Sequence, residues 1–205
     1  MPDQSLRKLS EFPSFATALA AALGSRSIVL IGMMGAGKSS IGRRLAKKLN
    51  LSFVDADAEI ELAAGMPITD IFDRHGEDCF RSGEARVIAR LLDQGRQVLA
   101  TGGGAFMNPA TRALIAAKGI SVWLKAEPDI LLRRIRRRSD RPLLRTADPE
   151  ATLKRLVEER YPVYAQAEVT VHSRDVPHEV IVDEIADAVA ARLGLVVPAI
   201  QESAP

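Results

Sequence analysis

Short, uniformly apolar runs alternate along this chain with segments whose apolar residues recur every three or four positions. Ser27–Ile31 (Ser-Ile-Val-Leu-Ile) is apolar and rich in β-branched residues, the pattern of a strand buried on both faces. After a glycine-rich turn, Ile41, Leu45 and Leu49 share one helical face of segment 39–49, leaving Arg43, Arg44, Lys47 and Lys48 for solvent. Further strands are expected at 51–54, 98–101, 120–124 and 169–172. Helices are expected over 58–71, interrupted near Gly65 and Pro67, and over 83–92, 109–117, 149–160 and about 177–193. Another opens at Pro128 and runs into an arginine-rich stretch. Alternation of helices with short apolar strands predicts one three-layer α/β/α domain around a five-stranded parallel sheet.

The chain's ends extend beyond that pattern. Arg7 and Lys8 precede an apolar stretch from Phe15 to Leu23, which imitates a secretory leader. The stretch is mostly alanine, Glu11 and Pro13 lead into it, and a strand follows almost at once, so it reads as an extension or short surface helix. The expected organisation is an extension at 1–26, a single domain at 27–194 and a flexible tail at 195–205. No run approaches the roughly 18 apolar residues that a spanning helix requires, and no membrane partner is expected.

Composition narrows the function classes. With 28 basic and 26 acidic residues the net charge is +2, which disfavours a nucleic-acid or membrane-surface protein held by bulk charge. Aromatic residues make up 4%, too few for a base-stacking platform. The lone Cys79 cannot form an internal disulfide, and with only His75, His172 and His178 to join it a structural zinc site is not expected. A reducing cytoplasm is the natural setting.

Gly32-Met33-Met34-Gly35-Ala36-Gly37-Lys38-Ser39 matches the G-x-x-x-x-G-K-[ST] phosphate-loop pattern without a mismatch. Glycines let successive backbone N–H groups turn inward around phosphate oxygens, and the following helix adds the positive end of its dipole. Lys38 supplies a mobile cation for the β- and γ-phosphates, and the Ser39 hydroxyl is placed for Mg²⁺. The motif follows a buried strand and opens an amphipathic helix, the context that separates it from a chance glycine-rich turn. It implies binding of a nucleoside triphosphate.

Asp55 and Asp57 leave the second strand at the edge where ligands of parallel sheets bind. One carboxylate suits Mg²⁺, directly or through water, and the other a substrate hydroxyl and its proton. The competing reading is a solvated turn in which Asp57 caps the next helix. No acidic residue ends the third strand, which strengthens the metal role for Asp55.

Gly102, Gly103 and Gly104 follow the third strand directly, suggesting backbone close to a ligand, although glycine also simply marks turns. Arg81 and Glu84 stand at a helix entrance; Glu84 can orient Arg81 toward a planar anion, but taken alone the two read as an exposed ion pair. Phe72, Phe80 and Cys79 suit a small pocket nearby or the core equally well. Arg133, Arg134, Arg136, Arg137, Arg138, Arg141 and Arg145 form the one strong compositional anomaly. They read as a lid at about 133–148 that closes over a polyphosphate, in preference to a solvated face or a nucleic-acid patch.

Together these features resemble the shikimate kinases. The resemblance rests on Gly-Met-Met-Gly-Ala-Gly-Lys-Ser, Phe-Val-Asp-Ala-Asp-Ala-Glu-Ile, Phe-Arg-Ser-Gly-Glu, Ala-Thr-Gly-Gly-Gly, Arg-Pro-Leu-Leu and Glu-Arg-Tyr-Pro-Val-Tyr, which span about residues 27–193 in the family's order. It implies a phosphate-loop NTPase fold with a lid and a substrate-binding helical section, similar to the nucleoside monophosphate kinases. Residues Gly35, Ala36, Gly37, Lys38, Ser39 and Ser40 would wrap the ATP phosphates, with Ser39 and Asp55 holding Mg²⁺. Asp57 would bond the ring hydroxyls of shikimate and accept the 3-hydroxyl proton. Arg81 and Arg160 would clamp the carboxylate, and Gly103, flanked by Gly102 and Gly104, would meet the ring hydroxyls through its backbone. Arg141 would act from the lid, Arg134 would lie against adenine, and a last adenine contact would fall near Arg174, where the match is poor.

The implied activity is ATP-dependent phosphorylation of shikimate to shikimate 3-phosphate, on the route to chorismate, by a cytoplasmic monomer. Two alternatives stand beside it: a kinase of gluconate or a nucleoside monophosphate, and an ATP-binding regulator without an acceptor. A regulator has no need of a carboxylate clamp.

Overall fold

The computed structural model describes residues 14–136 and 148–195. All five side chains of strand β1 (Ser27–Ile31) are buried. Successive strand residues point to opposite faces, so a wholly buried strand means that the sheet is covered on both sides. Around β1 the sheet runs in the order β2-β3-β1-β4-β5, with β2 at Phe53–Asp55, β3 at Val98–Ala100, β4 at Gly119–Lys125 and β5 at Val169–His172. Every pairing is parallel; Leu30 is in register with Ala100 on one side and Val122 on the other. The chain steps from β1 out to β2, returns through β3, then crosses to β4. That reversal opens a crevice beyond the carboxyl ends of the central strands.

Eight α-helices accompany the strands among the described residues: α1 (Phe15–Leu23), α2 (Lys38–Leu49), α3 (Ala56–Ala64), α4 (Ile68–Asp93), α5 (Pro109–Lys118), α6 (Pro128–Arg136), α7 (Pro149–Tyr164) and α8 (His178–Arg192). Helix α2 buries Ile41, Leu45 and Leu49 as its spacing predicts, and packs on α8 and the sheet. Asp148 caps α7 by accepting from the backbone N–H groups of Glu150 and Ala151.

Two segments differ from expectation. Helix α1 is more than a surface appendage: Leu19 and Leu23 are fully buried in the main core, and Arg96 donates to the carbonyls of Ala20 and Gly24 at its end. Helix α4 takes in 72–82, which the hydrophobic spacing does not mark as helical. It bends at Gly76, whose φ of 78° departs from helical geometry and removes the periodicity that would have revealed it. Ile60, Ile71 and Phe80 form a separate small core between α3 and α4, with Phe72 and Phe80 in ring contact at 4.6 Å. This satellite core supports one wall of the site.

Candidate active site

Two cavities open side by side at the carboxyl edge of the sheet, one of about 480 Å³ and one of about 350 Å³. Met34, Ser39, Asp55, Asp57 and Gly103 line both.

The glycine loop between β1 and α2 forms the floor of the larger cavity through Gly35, Gly37, Lys38, Ser39 and Ser40. Gly35 and Gly37 hold φ values of +81° and +93°, which only glycine adopts without strain. Ala36 contributes backbone alone, since its side chain is buried in the core and its carbonyl accepts from Ser173 Oγ at 2.8 Å. Lys38 Nζ bonds the carbonyls of Gly32 and Met33 at 2.8 and 3.0 Å, folded along the loop it serves.

Ser39 and Asp55 meet on the shared wall, where Ser39 Oγ donates to Asp55 Oδ2 at 2.6 Å. The other carboxylate oxygen of Asp55 accepts from the Asp57 N–H at 3.1 Å and caps α3. The competing reading of Asp57 as a cap fails: Asp55 is the cap, because the helix begins two residues earlier than its hydrophobic pattern suggests. Asp57 faces both cavities. A hydroxyl and a carboxylate at hydrogen-bond distance are hard oxygen donors suited to Mg²⁺, which characteristically takes one or two carboxylates plus phosphate and water oxygens. Among the described residues no group of three or more His, Cys, Asp or Glu side chains could hold a metal ion. The protein's share of such a site is partial, and phosphate would complete it.

The smaller cavity is lined by Arg81, Glu84, Arg160 and the glycine strip 102–104, with Phe72 and Phe80 as apolar wall. Arg81 and Glu84 are not an exposed pair: Glu84 is 2% exposed, and Arg81 Nη1 donates to its Oε2 at 2.8 Å. Glu77 accepts from Arg81 Nη2 and Nε at 3.0 and 3.2 Å. On Glu84 burial pushes the carboxyl above its ordinary range, outweighing the downward pull of the Arg81 guanidinium, while the charge of Asp57 adds to the rise. For Arg81 burial works against the charge, but Glu84 and Glu77 more than offset it and hold the guanidinium protonated. Cys79 is exposed and takes no part in the pocket.

Close approach favours glycine in the strip, since any Cβ there would displace the side chains that line the pocket. A Cβ on Gly102 would lie 2.5 Å from Glu84 Oε1 and 2.9 Å from Asp57 Oδ1. One on Gly104 would fall within 2.3 Å of the Arg81 guanidinium. Arg160, from α7, is 5% exposed, and its Nε and Nη1 have no hydrogen-bond partner among the described residues. A buried guanidinium with unmatched donors is costly unless an anion completes it. It lies in the same pocket as Arg81, so two guanidinium groups of different helices converge on one small cavity.

At the far end of the larger cavity Arg134 donates to Ser173 Oγ at 2.9 Å, to the Arg174 carbonyl at 3.0 Å and weakly to Gly35 O at 3.4 Å. It thereby ties α6 to the glycine loop and to the turn after β5. The Arg174 side chain is engaged by Glu184 in an exposed ion pair, although the residue lines the cavity. Arg141 and most of the proposed lid lie outside the described residues. Sequence reasoning missed Ser173, whose buried hydroxyl joins Arg134 to Ala36, and Tyr164, which closes the Glu-Arg-Tyr-Pro-Val-Tyr motif. A serine directly after a strand at the ligand edge was the available signal for the first.

A phosphate-type loop and a guanidinium-lined pocket that share a wall of carboxylates are the layout of a phosphotransferase acting on a small anionic acceptor. The shikimate kinase family profile matches residues 34–190. Shikimate kinases of Bradyrhizobium diazoefficiens and Nitrobacter winogradskyi are 66% and 64% identical over 172 and 177 residues, covering 84% and 86% of this chain and 83% of each relative. The solved structure of shikimate kinase from Acinetobacter baumannii, in complex with shikimate, superposes with a TM-score of 0.80 at 35% identity, covering 84% of this chain and 97% of that one. The chain belongs to the shikimate kinase family.

Proposed function

We propose that this enzyme transfers the γ-phosphoryl group of ATP to the 3-hydroxyl of shikimate, giving shikimate 3-phosphate and ADP for chorismate and aromatic amino acid synthesis. The observation that carries the reading is Arg160: two unmatched donors, buried in a pocket that shares Asp57 with the nucleotide-side cavity. A carboxylate against Arg160 and Arg81 supplies the missing acceptors, and the clamp holds the acceptor ring between the glycine strip and Asp57.

In this reading Asp57 accepts the hydroxyl proton as the oxygen attacks phosphorus and the bond from phosphorus to the ADP oxygen breaks. Lys38 exchanges the carbonyls of Gly32 and Met33 for phosphate oxygens, while the loop N–H groups cradle the β-phosphate. Ser39 and Asp55 would hold Mg²⁺, which when bound neutralises charge on the phosphate oxygens. Arg134 and the neighbourhood of Arg174 form the adenine end, and Arg141 enters the reading through its sequence motif alone.

The chain acts as a monomer in this reading, since one chain supplies the lining of both cavities. A cytoplasmic setting agrees with the lone, unpaired Cys79, and no helix among the described residues is long and apolar enough to cross a membrane.

Regiochemistry is the sharpest test. Phosphorus and proton NMR of the product formed from ATP, Mg²⁺ and shikimate should show a single phosphate ester coupled to the proton on C3. An ester at another carbon, or none, contradicts the assignment.

A further inference from the structure

The Glu-Arg-Tyr-Pro-Val-Tyr motif contributes Arg160 to the pocket, but its last residue carries a second interaction that the catalytic reading leaves unused. Tyr164 is fully buried, and its hydroxyl donates to the carbonyl oxygen of Gly103. The Tyr164 hydroxyl oxygen also lies 3.8 Å from the sulfur of Met33 in the glycine loop. A phenol has one hydrogen to give, and the carbonyl is much the stronger acceptor, so Met33 packs against the hydroxyl and Gly103 receives the bond.

Gly103 is the strip residue that lines both cavities. Its carbonyl belongs to the peptide linking it to Gly104, and a trans peptide points its C=O and N–H in opposite directions. Fixing the carbonyl on a buried hydroxyl therefore fixes the orientation of the Gly104 N–H. The Ala105 N–H closes a turn on the Gly102 carbonyl at 3.3 Å, with Gly103 and Gly104 at its centre. Glycine at both central positions admits either orientation of the peptide between them, so the bond from Tyr164 is what selects one. The ring of Tyr164 is itself immobilised, 6.0 Å from Trp123 and 6.2 Å from Tyr161. Arg160 lies one helical turn before Tyr164, and its guanidinium acts on the phenol oxygen by charge and by hydrogen bonding, a contact in which that oxygen accepts, distinct from the one it donates to Gly103.

We propose that Tyr164 is a positioning residue for the acceptor: its hydroxyl sets the Gly103–Gly104 peptide that the acceptor ring meets. The inference rests on the smaller cavity being the acceptor pocket. It extends that reading by assigning to Tyr164 a contribution to acceptor binding made without touching the acceptor.

The test is steady-state kinetics of Tyr164→Phe with shikimate and Mg-ATP, beside Tyr161→Phe. The control removes a comparable hydroxyl from the same helix, one that donates to Ala126 and not to the strip. Loss of one positioning hydrogen bond should raise the acceptor KM roughly five- to ten-fold in Tyr164→Phe. The KM for ATP should stay within about two-fold, as should both constants in Tyr161→Phe. Incorporating 4-aminophenylalanine at position 164 restores a donor at the same place and should return the acceptor KM toward that of the unaltered enzyme.

An unchanged acceptor KM in Tyr164→Phe overturns the proposal. So does an equal rise in Tyr161→Phe, or a rise in both KM values of Tyr164→Phe that tracks lost thermal stability. Should Tyr164→Phe not fold, the 4-aminophenylalanine protein decides alone: a near-normal acceptor KM supports the positioning role, and a KM raised as far as predicted for Tyr164→Phe contradicts it. Failure of the underlying reading is visible separately, as absence of shikimate-dependent ADP release from the unaltered chain.

Discussion

The Ser39 hydroxyl donates to Asp55 at 2.6 Å, joining the end of the glycine loop to the end of the neighbouring strand β2. The contact brings together the two oxygen donors proposed to hold Mg²⁺, and Asp55 also caps α3. Asp55→Asn keeps a good cap but weakens the ligand, because asparagine serves almost as well at an N-cap and lacks the charge. Thermal stability should be nearly unchanged, while the Mg²⁺ concentration giving half-maximal activity rises by about ten-fold or more. Titration of activity against free Mg²⁺ at saturating ATP checks this. An unchanged requirement would remove Asp55 from the metal site.

Arg81 and Arg160 enter the smaller cavity, the proposed acceptor pocket, with different prior commitments. Arg81 is already held by Glu84 and Glu77, whereas Arg160 has two donors waiting. Lysine at either position keeps the charge but loses the planar fork. Each Arg→Lys change should raise the acceptor KM by roughly 10- to 100-fold, with the KM for ATP little altered. Separate variation of the two substrates reads the split. A change confined to ATP would place the guanidinium groups on the nucleotide side.

Glu84 sets a pH dependence. Its carboxyl titrates above its ordinary value of 4.5 because burial outweighs the pull of Arg81. The folded state therefore binds this proton more tightly than the unfolded chain does. The stability it contributes is fully present below the unfolded value and is lost as pH rises through the folded one. Function runs the other way, since the ionised form is the one that holds Arg81 as an ion pair. In Glu84→Gln the thermal stability should gain on that of the unaltered enzyme as pH rises through this window. The acceptor KM of the unaltered enzyme should climb as pH falls into the same window, and that component should disappear in the variant. Melting curves and acceptor KM across pH test both. A variant whose stability difference is flat with pH would show that Glu84 is not the titrating group.

Helix α1 offers a test confined to stability. Leu19 is fully buried in the core that also holds Leu45 of α2. Leu19→Ala should destabilise by about 2–5 kcal/mol, visible in a denaturant titration, while kcat stays close to that of the unaltered enzyme. A loss below about 0.5 kcal/mol, the range of surface substitutions, would return α1 to the role of a surface appendage.

The parallel sheet, the loop and the pair of aspartates were legible from local signals. A short, mostly apolar strand, a fully matched phosphate-loop motif and carboxylates two residues apart need only their immediate neighbours to be read. The buried state of Glu84 was not, because a charged pair at helical spacing looks the same on a surface as beneath a glycine strip. Only the fold brings Gly102 to within van der Waals distance of that carboxylate. Residues 72–82 of helix α4 show no helical spacing because Gly76 breaks the period, and the competing cap at Asp57 falls because Ala56 and Asp57 are already helical. Tyr164 gave no warning: its bond to Gly103 joins residues 61 positions apart, which no local pattern records.

ADP release in a coupled assay, with Mg-ATP and one acceptor at a time, tests the central claim most directly. Shikimate should support saturable turnover, while gluconate and nucleoside monophosphates should give no more than the rate seen without an acceptor, and Lys38→Ala should abolish turnover. Turnover with gluconate and none with shikimate would contradict the assignment, and phosphotransfer retained by Lys38→Ala would contradict the phosphate cradle on which it stands.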